Sequence, residues 1–201
     1  MAEPDKSRGY EAIASHYISG RGSNYRGRGV GAAEVAEWSR TLPDGAFVLD
    51  LGCGTGLPIS QVLIEGGFHV YGVDASPSMV AAFRASFPEV PVERAAVEDS
   101  DFFGRTFDAV VAWGLLFLLE EQTQRQVIDK IARVLKPGGR LLFTSPEEIC
   151  TWTDGMTGQP SLSLGYDAYR NALEGAGLKV TGTRLSTGDN FYYFAEKPRR
   201  G

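Results

Sequence analysis

The chain is most constrained by the run Phe47-Val48-Leu49-Asp50-Leu51 followed directly by Gly52-Cys53-Gly54-Thr55-Gly56. The first half is a short apolar stretch of the kind that forms a fully buried parallel strand. The second half places glycine at alternate positions, and the apolar pattern then resumes as a helix from Leu57 to Glu65. A strand that ends in a glycine-rich turn and re-enters as a helix gathers backbone N–H groups and a positive helix end at one spot. With no Cβ atoms in the way, an adenosine-type ligand can lie against that backbone.

Two carboxylates narrow the ligand. Asp74 closes the next apolar run, Phe68 to Val73, 22 positions after Gly52. Nucleotide-binding βαβ units place a carboxylate there for the ribose hydroxyls. The dinucleotide fingerprint spaces its glycines G-x-G-x-x-G, whereas these run G-x-G-x-G. Asp50, two residues before the first glycine, would repel a pyrophosphate and suits a cation instead. An adenosine bearing an ammonium and a sulfonium, S-adenosylmethionine (SAM), satisfies both acids. An NAD(P)-dependent oxidoreductase is the reading these spacings disfavour. A non-catalytic protein that binds SAM on the same fold is the second alternative.

At these residues the chain resembles the class I SAM-dependent methyltransferases, in the small-molecule group with a D-x-G-C-G-T-G loop. The downstream Leu135-Lys136-Pro137-Gly138-Gly139 belongs to the same resemblance, which covers residues 45–145 well. It implies a doubly wound α/β fold, with a seven-stranded, mostly parallel sheet ending in an antiparallel hairpin. It also implies a cofactor site made of Asp50, Gly52, Cys53, Gly54 and Gly56 in the loop, with Asp74 and Ala75 after the second strand. Val97 and Glu98 follow the third strand, and Trp113 ends the fourth. In the family an acidic residue at the end of the third strand accepts from the adenine amino group, and the next backbone N–H serves the ring. That acidic position falls on Ala96 here, so Glu98 or Asp99 has to take over. Tyr17, on an N-terminal helix, is implied as an aromatic lid contact, although a helix that only packs would read the same.

The remaining chain reads as one domain, residues 1–201, with an N-terminal lid segment 1–29. Helices are expected over Tyr10–Tyr17, Val30–Leu42, from the Ser76 N-cap onward, Glu120–Leu135 and Gly165–Gly177. Strands are expected over Val90–Ala96, Phe107–Trp113, Arg140–Thr144, Leu178–Arg184 and Asn190–Lys197. Gly20 to Gly31, with Arg21, Arg26 and Arg28, reads as a flexible basic linker, or as an entrance loop with an arginine for a carboxylate ligand. Ser145 to Leu164 shows no period and reads as a long irregular connection carrying Trp152, Asp154 and Met156.

A net charge of −5 argues against a broad nucleic-acid footprint. The apolar Trp113–Leu119 stretch favours a small, partly apolar acceptor, methylated at oxygen, nitrogen or sulfur. His16, Tyr17 and Asp154 are the candidates for a base, should the acceptor have to lose a proton. No apolar run approaches the roughly 20 residues that span a bilayer, so no membrane partner is expected. The only two cysteines, Cys53 and Cys150, form no disulfide framework or zinc spacing, and a reducing cytoplasm is expected.

Overall fold

The computed structural model describes residues 5–20, 29–186 and 190–199. Arg21, Arg26 and Arg28 of the basic linker, and most of the expected Ser186–Asp189 connection, lie outside the described residues. The strands are β1 (Phe47–Leu51), β2 (His69–Asp74), β3 (Val92–Arg94), β4 (Phe107–Ala112) and β5 (Leu135–Thr144). They are followed by β6 (Ile149–Thr153), β7 (Pro160–Leu164), β8 (Lys179–Leu185) and β9 (Phe191–Glu196). The helices are α1 (Ala14–Gly20), α2 (Ala32–Ser39), α3 (Ile59–Glu65), α4 (Pro77–Ser86), α5 (Glu121–Val134) and α6 (Tyr166–Gly175).

Seven strands make one sheet in the order β3-β2-β1-β4-β5-β9-β8. From β3 to β5 the neighbours are parallel, and β9 runs antiparallel to both β5 and β8. The fold is therefore the doubly wound sheet with a terminal antiparallel pair that the sequence predicts. Successive strand residues serve opposite faces, as the two-residue period requires. Val48, Ala109, Val111, Leu142 and Tyr192 pack with Val35 and Trp38 of α2 and Ile59 and Leu63 of α3. Their chain neighbours Leu49, Val110, Leu141, Phe143 and Tyr193 pack with Val127, Ile128 and Ile131 of α5 and Tyr169 and Leu173 of α6. Burial on both faces explains why the central strands read as unbroken apolar runs.

Five elements depart from the expectation, the first being α1, which spans Ala14–Gly20 where a helix over Tyr10–Tyr17 is expected. The third strand is only Val92–Arg94, because at Ala96 the chain enters a single helical turn in which Asp99 N–H and Ser100 N–H both donate to Ala96 O. The fourth strand stops one residue before Trp113. Leu135 to Gly139 does not merely stop α5. It joins the fifth strand through a register shift, Phe107 pairing with Leu135 and Ala109 with Arg140. Lys197 Nζ then caps α5, donating to Ala132 O at 2.7 Å and Leu135 O at 2.9 Å, a cation at the helix end that favours one.

The largest correction concerns Ser145–Leu164. It contains an antiparallel hairpin of β6 and β7, with Trp152 opposite Ser161. Asp154 shapes its turn, Oδ1 accepting from Met156 N–H, Thr157 N–H and Thr157 Oγ, the way short polar side chains nucleate turns.

The glycine loop also divides its labour unexpectedly. Gly56 has φ +82°, and a Cβ there would lie 2.7 Å from Phe87 and 2.9 Å from Phe83. It is the close-packing glycine between the loop and α4. Gly56→Ala should lower the unfolding free energy by about 1–3 kcal/mol, the usual range for overpacking a filled site, as read by denaturant titration. An unchanged midpoint would mean that Phe83 and Phe87 move aside freely.

Candidate active site

At the carboxyl end of β1 the chain turns through Gly52 (φ +69°) and Gly54 (φ +54°), conformations that side chains rarely adopt. Gly52 N–H and Cys53 N–H both donate to Val73 O, at 2.8 and 3.1 Å, which pins the loop to the end of β2. A Cβ on Gly52 would press on Leu115 at 3.1 Å, whereas one on Gly54 would point into open space. Asp74, the last residue of β2, completes the arrangement. Its Oδ2 accepts from Gly54 N–H and its Oδ1 from Ser76 N–H, each at 2.8 Å.

The loop opens onto a cleft at the carboxyl edge of the sheet. Tyr17, Asp50, Gly52, Cys53, Gly54, Asp74, Ala75, Val97, Glu98 and Trp113 all line it. Of the residues expected to bind cofactor, Gly56 alone falls outside that wall, for the packing reason given above. Among the three candidate bases, Tyr17 lines the cleft, while His16 is exposed on α1 and outside the cleft wall. Asp154 is engaged in its own hairpin turn.

Two carboxylates in the cleft are held against their charge. Asp50 is 2% exposed and accepts from Ser60 Oγ. Burial pushes its carboxyl up to about 7; the Ser60 hydrogen bond opposes this, and the neighbouring Asp74 charge adds to it. Burial raises Asp74 as well, against the lowering effect of the Ser76 and Gly54 N–H groups. Among the described residues no basic side chain forms an ion pair with either. Such a pair creates a site in which a cation is worth more than in water. The Cys53 thiol is pushed far up by burial and by both aspartates, so it serves as apolar lining and not as a nucleophile.

The N-terminal segment roofs this cleft, and beside the expected Tyr17 it does so with Lys6, Arg8 and Glu11, which carried no sequence signal. Lys6 pairs with Asp99, and Arg8 lies 3.7 Å from Glu98. The Glu11 carboxylate takes Ser76 Oγ, Ser78 N–H and Ser78 Oγ at the start of α4. Tyr10 and Tyr17 meet edge to face, with centroids 5.8 Å apart. Part of the wall is apolar: Trp113, Leu115, Phe117 and, from the hairpin turn, Met156. Trp113 is fixed by donating Nε1–H to Tyr192 OH at 3.1 Å, and Phe117 packs on Trp152 with centroids 5.3 Å apart.

A family model for a methyltransferase domain matches residues 48–139, the span from β1 into β5 that contains nearly the whole cleft floor. Over those residues the chain carries a methyltransferase domain. It is 33% identical over 146 residues to a demethylmenaquinone methyltransferase of Clavibacter sepedonicus, covering 71% of this chain and 55% of that protein. It is also 33% identical over 117 residues to a tRNA U34 carboxymethyltransferase of Hahella chejuensis, covering 53% of this chain and 36% of that protein. The chain spans about half the length of the first curated relatives it matches. Its fold resembles that of the 1,6-didemethyltoxoflavin-N1-methyltransferase of Burkholderia thailandensis. The TM-score is 0.73 at 19% identity, over 98% of this chain and 92% of the other. That structure holds 1,6-didemethyltoxoflavin and S-adenosylhomocysteine.

The raised Asp50 carboxyl of the methyltransferase domain makes stability depend on pH. Between its ordinary 3.8 and about 7 the folded chain holds a proton that the unfolded chain has lost. Stability contributed by this group is therefore full below that window and falls as pH rises through it. The slope is at most about 1.4 kcal/mol per pH unit for one proton. Asp50→Asn should flatten the pH dependence of the denaturation midpoint between about 4 and about 7. A variant that keeps the wild-type slope would remove Asp50 as its source.

Proposed function

We propose that this chain transfers a methyl group from SAM to oxygen, nitrogen or sulfur of a small, partly apolar molecule. The observation that carries this reading is the buried, unpaired Asp50–Asp74 pair beside a glycine loop with open space at Gly54. A cationic adenosine compound matches that combination, and a pyrophosphate does not. Asp74 would take the ribose hydroxyls, and Gly52 and Gly54 would let the ligand approach the backbone. Asp50 would favour the cationic end, and Val97 and Glu98 would meet the base. Cys53, Ala75, Trp113 and Tyr17 would contribute contact surface.

When bound, SAM supplies the electrophilic methyl carbon on a sulfonium. The chain's own task is then positional: holding the acceptor in line and excluding water can lower a barrier by roughly 7–11 kcal/mol in favourable cases. Trp113, Leu115, Phe117 and Met156 offer the acceptor an apolar wall, as small-ligand sites usually do. Described segment 5–20, part of the proposed lid 1–29, would cover the cofactor, with the chain otherwise acting as one domain. An acidic chain favours a small acceptor over nucleic acid, despite the tRNA-modifying relative. Among the described residues no helix is long and apolar enough to cross a membrane, and two unpaired cysteines suit a cytoplasmic setting.

Calorimetric titration with S-adenosylhomocysteine and with NADH tests the cofactor. We expect saturable binding of the first and none of the second. Asp74→Ala should weaken that binding by about 1–3 kcal/mol, since it leaves polar groups without their partner; unchanged affinity in a folded variant would take Asp74 out of the site. Binding of NADH alone would overturn the cofactor reading. An acceptor screen separates an enzyme from a binding protein, and activity on RNA that collapses with added salt would displace the small-molecule acceptor.

A further inference from the structure

Lys130 sits on α5, an amphipathic helix on which a lysine is expected to face water. It turns inward instead. Its Nζ donates to three backbone carbonyls, Val97 O at 2.8 Å, Glu98 O at 2.9 Å and Ser100 O at 2.6 Å. An ammonium has three donors, so all are engaged. The same group lies 4.7 Å from the Phe102 ring centroid. Burial pulls its pKa down, and the carbonyl bonds replace the water it gives up.

The three carbonyls belong to the turn that leaves β3. Asp99 N–H and Ser100 N–H close that turn on Ala96 O. As at any helix start, the first N–H groups of such a turn find no partner inside it. Among the described residues the N–H groups of Val97 and Glu98 donate to no protein acceptor, yet both residues line the cleft. In a planar trans peptide the C=O and the following N–H point in opposite directions. Fixing Val97 O on Lys130 therefore turns the Glu98 N–H away from α5. The two bonds to Ala96 O involve neither end of the Val97–Glu98 peptide, and the ties of Lys6 to Asp99, Arg8 to Glu98 and Ser100 Oγ to Glu93 run through side chains, so they leave that peptide plane unset.

We propose that Lys130 is a positioning residue for the cofactor: it orients the Val97–Glu98 peptide so that the Glu98 N–H is presented to the ligand's base. The proposal rests on the methyltransferase reading above and adds a residue outside the cleft wall to it. Any adenine-bearing ligand would feel Lys130 through one hydrogen bond, while the remaining contacts of the site stay in place.

The test uses the whole chain, calorimetry, and two ligands: S-adenosylhomocysteine and its 1-deaza analogue, in which C–H replaces ring N1. Wild type should prefer the parent ligand. Lys130→Met should weaken the parent about tenfold, the scale of one good hydrogen bond. It should leave the analogue within about twofold, because the contact is already missing and the two losses do not add. Equal losses for both ligands would mean general loosening of the site and would overturn the proposal, as would no loss for the parent or no wild-type preference. If Lys130→Met does not fold, Lys130→Arg keeps the charge over Phe102, but its planar fork cannot converge on three carbonyls; the same selective loss is expected, and its absence is equally fatal. A wild type that binds neither ligand would bring down the methyltransferase reading itself, which separates that failure from this one.

Discussion

The ligand edge of this protein is organised by the Asp74 carboxylate. One side chain takes the Gly54 N–H on one oxygen and the Ser76 N–H on the other, so the glycine loop after β1 and the turn after β2 cannot shift independently. The bonds continue outward from there. Ser76 Oγ caps α4 through Met79 N–H at 3.1 Å and donates to Glu11, which also holds Ser78. A continuous chain of hydrogen bonds thus joins the glycine loop to the N-terminal segment that roofs the cleft. Burial works against this carboxylate while its backbone donors work for it, and burial wins. The result is a floor that is well ordered and short of positive charge, prepared for a cation before any arrives.

What the sequence made legible was local. The buried strand, the glycine spacing and the Asp74 offset all lie within one βαβ unit, where period and spacing translate directly into geometry. Gly56 shows the limit of spacing: it continues the alternation of Gly52 and Gly54, yet its neighbours are Phe83 and Phe87, which no pattern within the loop reveals.

The missed elements share another cause. In β7 the inward positions are Ser161 and Ser163, both buried. Ser163 is satisfied by donating to Pro146 O at 2.7 Å, so polar residues face inward and the usual apolar alternation disappears. Glu11 meets Ser76 across 65 residues, and Lys130 meets Val97 across 33. On a helix such charged residues read as solvent-facing, because charge alone does not say which buried carbonyl or hydroxyl awaits it. Long-range polar contacts of this kind are a property of the assembled fold.

Magnitudes separate the parts of the cleft that hold still from those that can yield. The floor is set in the sheet, between two apolar layers and under several backbone hydrogen bonds, and moves only with the domain core. The roof is held differently. Lys6–Asp99 and Arg8–Glu98 are partly exposed pairs, and such pairs contribute about 0–1 kcal/mol each. At the hairpin turn the contact is Gly9 against Thr157 and Gln159, where a Cβ would approach within 3.1 Å, a van der Waals contact of small area. Glu11 is the strongest tie, a carboxylate with hydrogen-bond donors from Ser76 and Ser78 at the positive end of α4. Breaking that one cluster would remove the polar ties between the segment and α4, leaving the packing of α1 on that helix around buried Ala14. A cleft built this way has a floor set by the sheet and a roof whose polar attachment rests on Glu11 more than on its visible ion pairs.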